Sequence, residues 1–362
     1  MSRQGVVVCG YYGFANAGDE AVLAGLVHGL RGAGYAEPLT VLSSDTGYTE
    51  REHSVQAVPR LHLKAIWQTM RRSHVFVLGG GSLLQDVTSA RSLVYYLGVH
   101  VLARRAGCRV AWIGQGIGPL RRRWVRWLTA WAGRDADAVV VRDPASAELL
   151  RAMGVSQVQV GADLSFLLPE ADIQYGWRVL QGLGIDKDSA LIGMAPRRWA
   201  GDLVDVAEAL AQTVRYAGQT WGARTLLIPM QPSRDGEIVR EVSARAPEAV
   251  VPVQPLSVRE MQGVLACCQV VVGVRLHALM LAAASGIPAL AISYDPKVRA
   301  FWEQVEPKHV VDVEKVNGQA LQERLTDIWA QRQTLRERVS GFAEGQRRLA
   351  QRNIEALLAL VM

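Results

Sequence analysis

Short, uninterrupted apolar runs punctuate the chain, and most are followed by a segment whose apolar positions recur with helical spacing. In the first half the runs are Val6 to Cys9, Leu39 to Leu42, Val75 to Leu78, Val110 to Ile113, Ala138 to Val141 and Val158 to Val160. After "LSFLLPEADIQYGWRVLQGLG", read as a connection plus an opening helix, the pattern restarts at Ala190 to Met194, Thr225 to Ile228, Val250 to Val253, Val270 to Val274 and Ala289 to Ile292, with His309 to Val313 a further candidate. Continuous apolar strands alternating with helices are what a parallel sheet covered on both faces requires. The pattern predicts an α/β protein of two Rossmann-like, doubly wound domains, residues 1–170 and 171–362, facing a cleft. From about Asn317 to Met362 the period is helical, and this tail can close the second half and cross back to the first.

Composition narrows the ligand. A chain of 362 residues with 49% hydrophobic content has the length for two domains and the material for two cores. The formal charge of +6 comes mainly from arginine, since the lysines are only Lys64, Lys187, Lys297, Lys308 and Lys315. Arginine's planar fork suits carboxylates and phosphates, so anionic partners are favoured. Cys9, Cys108, Cys267 and Cys268 show no C-x-x-C spacing, which speaks against a disulfide framework or a zinc knuckle and for a reducing compartment. The start of the chain has no signal-peptide pattern and no apolar run reaches membrane-spanning length, so a soluble cytoplasmic protein is expected.

Polar residues concentrate just after the strands, where doubly wound sheets bind ligands. In the first half these loops hold Asn16, Gly18, Asp19 and Glu20 within "GYYGFANAGDEAVLAGL", then Gly79, Gly80, Gly81 and Ser82, Gln115 within "GQGIGP", and Arg142-Asp143-Pro144. The second half offers Pro196-Arg197-Arg198, Gln231 to Asp235, Arg275-Leu276-His277 and Ser293-Tyr294-Asp295-Pro296-Lys297. Each has an ordinary structural reading. Asn16 and Asp19 can be helix caps, Asp143-Pro144 is an N-cap followed by an N1 proline, and Arg142 can simply pair with a carboxylate. The glycine triplet is sharper, because backbone without Cβ lets an anion approach the N–H groups of the helix beginning near Ser82. Arg275 and His277 lie between "QVVVGV" and the small-residue helix "ALMLAAASGIP", where burial of either is costly without a polar purpose.

Two further stretches invite a reading. Asp135-Ala136-Asp137 resembles a D-x-D metal element but precedes a strand, at the wrong end of the sheet, and reads as a solvated turn; no metal is expected. "LRRRWVRWLTAWAGR", Leu120 to Arg134, aligns Leu120, Trp124, Trp127, Leu128 and Trp131 on one helical stripe. The preferred reading packs that stripe on the sheet, and the alternative lays it on an anionic membrane surface.

The motifs "NAGDE", "GGGSLLQD", "GQGIGP", "RDPASAELLRAMG", "VGADLSF" and "RLHALMLAAASGIPALAISYDPKV", in this order and across nearly the whole chain, resemble the polysaccharide pyruvyl transferase family, most closely its CsaB type. Ser165 departs from the alanine expected there, a matter of packing. The resemblance implies a glycosyltransferase-B-like fold that transfers pyruvate from phosphoenolpyruvate to a sugar as a cyclic ketal. In the CsaB type the acceptor is an N-acetylmannosamine residue of a lipid-linked cell-wall precursor, and the product anchors surface-layer proteins. On this reading His277 is the acid/base. Arg275, Arg197 and Lys297 hold the donor's anionic groups, and Asn16, Asp19 and Glu20 address acceptor hydroxyls, with one carboxylate as base. Gly18, Gly80, Gly81, Ser82, Gln115, Arg142 and Tyr294 complete the expected binding set. No cofactor and no nucleic-acid partner are implied. The rival readings are a nucleotide-sugar-dependent glycosyltransferase of the same fold and a non-catalytic sugar-binding module.

Overall fold

A strand that is apolar on both faces needs helices on both sides, and the chain supplies them by winding first one way and then the other. The computed structural model describes residues 3–87, 89–198 and 205–361. They form two units, Met1–Pro169 with Gly345–Met362, and Glu170–Glu344.

The first unit alternates β1 (Val6–Cys9), α1 (Ala17–Gly32), β2 (Leu39–Ser43), α2 (Thr46–His53), β3 (Gln56–Pro59), α3 (Leu63–Arg72), β4 (Val75–Leu78), α4 (Ala90–Ala106), β5 (Arg109–Gln115), α5 (Arg123–Asp135), β6 (Ala138–Val141), α6 (Pro144–Ala152) and β7 (Val158–Val160). The seven strands are parallel in the order β3-β2-β1-β4-β5-β6-β7. The winding therefore reverses between β1 and β4. Right-handed crossovers then put α1 and α2 on one face and α3 to α6 on the other. Backbone approach is close where α1 meets the 3-10 turn Leu164–Leu167: a Cβ on Gly25 would lie 1.9 Å from the Leu164 carbonyl oxygen.

The second unit holds α7 (Ile173–Gly182), β8 (Leu191–Ala195), α8 (Val206–Trp221), β9 (Arg224–Leu227), α9 (Pro232–Arg245), α10 (Val258–Cys267), β10 (Val270–Gly273), α11 (Leu276–Ala284), β11 (Ala289–Ser293), α12 (Pro296–Trp302), β12 (Val310–Asp312) and α13 (Gly318–Val361). Its parallel strands run β12-β11-β10-β8-β9, so here the reversal falls between β8 and β10.

The tail is a single helix whose residues from Gly345 onward belong to the first unit. Asn353, fully buried near its end, accepts from Gly114 N at 2.8 Å and donates to the Ala162 carbonyl at 3.1 Å. Those bonds satisfy the bulge in β5 and the loop that follows β7.

Three expectations are corrected. The edge strand β3 was not foreseen, because Gln56–Pro59 is short, partly exposed and not a continuous apolar run. Val250 to Val253 is not a strand: Val250 makes one isolated bridge to Leu226, Val253 is 87% exposed, and Pro252 cannot donate to a ladder. The tryptophans of α5 do not pack on the sheet. Val125, Thr129, Ala130, Ala132 and Gly133 form its buried face, while Trp124, Trp127 and Trp131 are exposed. No helix among the described residues is long and apolar enough to cross a membrane.

Helix α5 lacks a side-chain cap of its own, and Asp86 supplies the acceptors: its two oxygens take Arg121 N and Arg122 N, each at 2.8 Å. Burial pushes the Asp86 carboxyl up, but the two amides and the Arg122 charge outweigh it and hold the group below the usual carboxylate range. A depressed folded value means a contribution present above the unfolded value, about pH 4, and lost as pH falls through the folded one. Asp86→Asn should therefore lower the urea-unfolding stability near pH 7 by about 1–2 kcal/mol, with the gap to wild type closing in acid. A gap independent of pH would refute the charge-based part of the cap.

Candidate functional site

Where the winding reverses, two neighbouring strands send their following loops to opposite faces, and a crevice opens beyond their carboxyl ends. Each unit has one such point, and the expected site residues gather there.

In the first unit the loop after β1 opens into α1. Asn16 is the N-cap and accepts from Gly18 N at 3.2 Å, and its amide donates to Asp19. The turn is held under strain, with Gly13 at φ 76° and the non-glycine Ala15 at φ 52°. Glu20 fixes it: one oxygen accepts from Gly13 N at 2.9 Å and the other meets His53 Nε2 at 2.9 Å, with both side chains buried. Glu20, expected to face acceptor hydroxyls, is thus enclosed and ties the loop to α2. Asp19, also buried, takes the Asn16 amide and lies beside the glycine turn after β4. Its Oδ1 would lie 2.9 Å from a Cβ on Gly81, whose φ of 90° also favours glycine.

The loops after β4, β5 and β6 join the same place. Gly81 and Gln115 pair as an isolated bridge, and Gln115, fully buried, donates to the carbonyls of Leu78 and Gly79. Gln115 therefore braces the glycine turn through Nε2, while its buried Oε1 has no hydrogen-bond partner among the described residues. Gly80 is equally confined, since a Cβ there would lie 2.6 Å from Val22. Arg142 donates to Ser82 Oγ at 3.0 Å and to Asp163 Oδ2 at 3.2 Å. Asp163 is itself steadied through Oδ1 by the backbone and hydroxyl of Ser165, at 3.0 and 2.8 Å. Asp143 caps α6 through Ser146 N at 2.8 Å, with Pro144 at N1.

In the second unit the loops after β8 and β10 flank the reversal and carry Arg197 and Arg275. Arg275, the N-cap of α11, is buried and grips Asp235 with Nε, at 3.1 and 3.0 Å, and with Nη2. Asp235 is fully buried on α9 and also accepts from Gln231 N at 2.8 Å. This pair leaves Arg275 Nη1 uncommitted among the described residues. Arg197 is half-buried, donates to the Tyr294 hydroxyl and lies 4.6 Å from that ring's centroid. Burial, together with the nearby Arg275 and Arg234 cations, holds the Arg197 guanidinium below its ordinary value despite partial relief from Tyr294 and Asp235. Burial likewise pushes the Tyr294 phenol up against the pull of the two arginines, so it stays protonated at neutral pH. His277 sits in the first turn of α11, half-buried, with Nε2 shielded from solvent. Lys297 is half-buried in the first turn of α12, its backbone N bound to Asp295 at 2.8 Å. Arg197, Arg275 and Lys297 thus lie in the loops or first turns that follow β8, β10 and β11.

A groove of about 440 Å³ opens in the first unit beside the Asn16 loop, lined by Tyr11, Phe14, Arg60, Leu61 and Tyr96 among others. Tyr11 and Phe14 stack with centroids 4.1 Å apart. The Arg60 guanidinium lies 5.0, 4.4 and 5.8 Å from the Phe14, Tyr95 and Tyr96 centroids and faces no carboxylate among the described residues. Sequence reasoning missed this groove and Asp163, although Tyr11 and Phe14 lie inside the glycine-rich stretch it singled out, and it placed Asp235 among the strand-end residues without its pairing to Arg275. Asp135 and Asp137, read as a solvated turn, are instead ion-paired to Arg104, with Asp135 also bonded to His100 at 2.9 Å. Among the described residues no cluster of His, Cys, Asp and Glu is arranged to hold a metal.

Removing one member of a buried ion pair strands the other charge. Asp235→Ala should cost about 3–5 kcal/mol in urea unfolding, whereas Arg259→Ala, which breaks the exposed pair with Asp172, should leave the urea midpoint nearly unchanged. Equal losses at the two sites would contradict this description of Arg275.

Comparison with solved structures places the fold. The UDP-GlcNAc 2-epimerase of Neisseria meningitidis bound to UDP-GlcNAc aligns with a TM-score of 0.65 at 11% identity, covering 98% of this chain and 100% of that one. HepE from Anabaena in complex with UDP-glucose aligns at 0.63 and 14% identity, covering 99% and 100%. A glycosyltransferase from Rickettsia africae aligns at 0.57 and 9% identity, covering 99% and 96%. At such identities the likeness is one of fold, two Rossmann-like domains of glycosyltransferase-B-like type. The family model for polysaccharide pyruvyl transferases matches residues 16–296, a span from the Asn16 cap to Pro296 that takes in both reversal points, and the chain belongs to that family.

Proposed function

We propose that this protein transfers pyruvate from phosphoenolpyruvate to a sugar as a cyclic ketal and releases phosphate. The observation that carries the reading is the cation-rich reversal point of the second unit. A guanidinium held below its ordinary value by burial and by other cations is relieved when an anion arrives. Phosphoenolpyruvate brings two anionic groups, a carboxylate and a phosphate. Arg197, Lys297 and the free edge of Arg275 bind them through charge-assisted hydrogen bonds, and Tyr294 adds a neutral hydroxyl.

The chemistry needs one proton donor and two sugar hydroxyls. His277 protonates the methylene carbon of the enol, and a sugar hydroxyl bonds to the adjacent carbon, losing its proton to a base. A second hydroxyl then bonds to that same carbon as its bond to the phosphate oxygen breaks; phosphate leaves with the electron pair and takes up that hydroxyl's proton. The arginines stabilise the charge that develops on the leaving group. The acceptor is assigned to the first unit, with Asp19, Asn16 and Ser82 as the polar groups that meet its hydroxyls. The stacked Tyr11 and Phe14 rings suit the apolar face of a pyranose. An N-acetylmannosamine residue on a lipid-linked precursor, as in the CsaB type, is the acceptor this reading favours.

The test is phosphate release from phosphoenolpyruvate with a synthetic N-acetylmannosamine glycoside, followed by acceptor mass. Wild type should release phosphate only with acceptor and add a pyruvyl group. His277→Ala and Arg197→Met should each lose about 10²–10³-fold in turnover while melting as wild type does. Consumption of a nucleotide sugar with no phosphate release from phosphoenolpyruvate would replace this reading with a glycosyltransferase. For the acceptor side, Phe14→Ala should raise the acceptor KM about tenfold, the worth of one aromatic contact of roughly 1.4 kcal/mol, and leave the donor KM unchanged.

A further inference from the structure

The exposed apolar side chains of this protein are not scattered. Apart from Ile173 and Val253, the large hydrophobic residues exposed among the described residues all lie on α3, α4, α5 or the turns leading into them. Leu61, Leu63 and Trp67 belong to α3 and its approach, Val87 and Val94 to α4 and its approach, and Trp124, Trp127 and Trp131 to α5. Trp127 is 63% exposed, Trp124 45% and Trp131 41%. These helices cover the same sheet face, with α4 packed between α3 and α5. Because each connects parallel strands, their N-termini lie at one end of the sheet, the carboxyl end of the strands.

The charges in the same place have one sign. Lys64, Arg91, Arg121, Arg122, Arg123 and Arg126 are all exposed in these first turns and approaches. The one carboxylate among them in the described residues, Asp86, is buried and occupied by the amides of Arg121 and Arg122. A surface that merely keeps a protein soluble mixes both signs and hides its tryptophans. Amphipathic indole rings interleaved with arginines match the boundary between headgroups and acyl chains, where the ring is half apolar and the cation meets lipid phosphate.

We propose that the N-terminal halves of α3, α4 and α5 form a docking face for an anionic lipid surface. The protein lies on such a surface without crossing it, and the face adjoins the end of the first unit that carries the Asn16 loop and the aromatic groove. The inference stands on exposure and charge alone and does not rest on the pyruvyl reading.

The experiment is co-sedimentation of the full chain with vesicles of phosphatidylcholine, with and without phosphatidylglycerol, alongside its tryptophan emission. The double variant Trp124→Ser, Trp127→Ser alters only exposed positions, and its melting temperature serves as the folding control. Wild type should bind the phosphatidylglycerol vesicles with a blue shift, weaken as salt is raised, and outbind the double variant by about tenfold. Failure of wild type to bind, or equal binding by the variant, overturns the proposal. A dimer in sedimentation velocity that the double substitution dissociates, with no vesicle binding, also overturns it and makes the face a contact between copies of the chain.

Discussion

A parallel sheet can be closed on both faces only if the chain reverses its winding, and that one topological demand organises everything else in this protein. Each reversal leaves two adjacent strand ends with no crossover above them. Unit one pays for the opening with backbone strain at Ala15 and closeness at Gly81, and unit two with a buried ion pair. The polar residues follow from this geometry, because these are the places where backbone and side chains can converge on a ligand without breaking a ladder.

The two openings are built from different chemistry. In the first, Arg142 is committed to Asp163 and Ser82, and Glu20, Gln115 and Asn16 shape the turn. Beside it lies an aromatic groove over whose rings the Arg60 guanidinium stands. In the second, Asp235 orients Arg275 while Arg197 and Lys297 add positive charge. In the proposed function the sugar is assigned to the first opening and the doubly anionic donor to the second on the strength of this difference.

Much of this was legible in the sequence because period and strand-end position are local properties. Ten of the twelve strands announced themselves as apolar runs, and His309 to Val313 marked the neighbourhood of β12. Only β3, short and partly exposed, gave no such signal, and Val250 to Val253 imitated a strand until Pro252 is considered. The site loops were found by the same rule, yet the sequence could not distinguish a ligand-facing residue from one that braces the loop. Glu20 and Asp19 are neighbours, but on a helix they point in different directions, and only the partner His53, distant in sequence, shows which one is enclosed. Asp235 was named among the strand-end residues, but its pairing was hidden for the same reason, since the partner is Arg275, 40 residues away. The tryptophan stripe misled because helical periodicity shows that a face exists without showing which face meets the sheet.

The last helix adds a constraint of another kind. Asn353 satisfies Gly114 and Ala162 from a position near the end of the chain, so the first unit contains bonds whose partners are separated by the entire second unit. During synthesis the ribosome completes the first sheet long before it delivers Asn353. The nascent N-terminal unit must therefore wait with an uncovered seam while some 175 residues of the second are made and folded. The first unit cannot be finished as it emerges, and a ribosome that stalls before it delivers Asn353 leaves that unit without the bonds to Gly114 and Ala162.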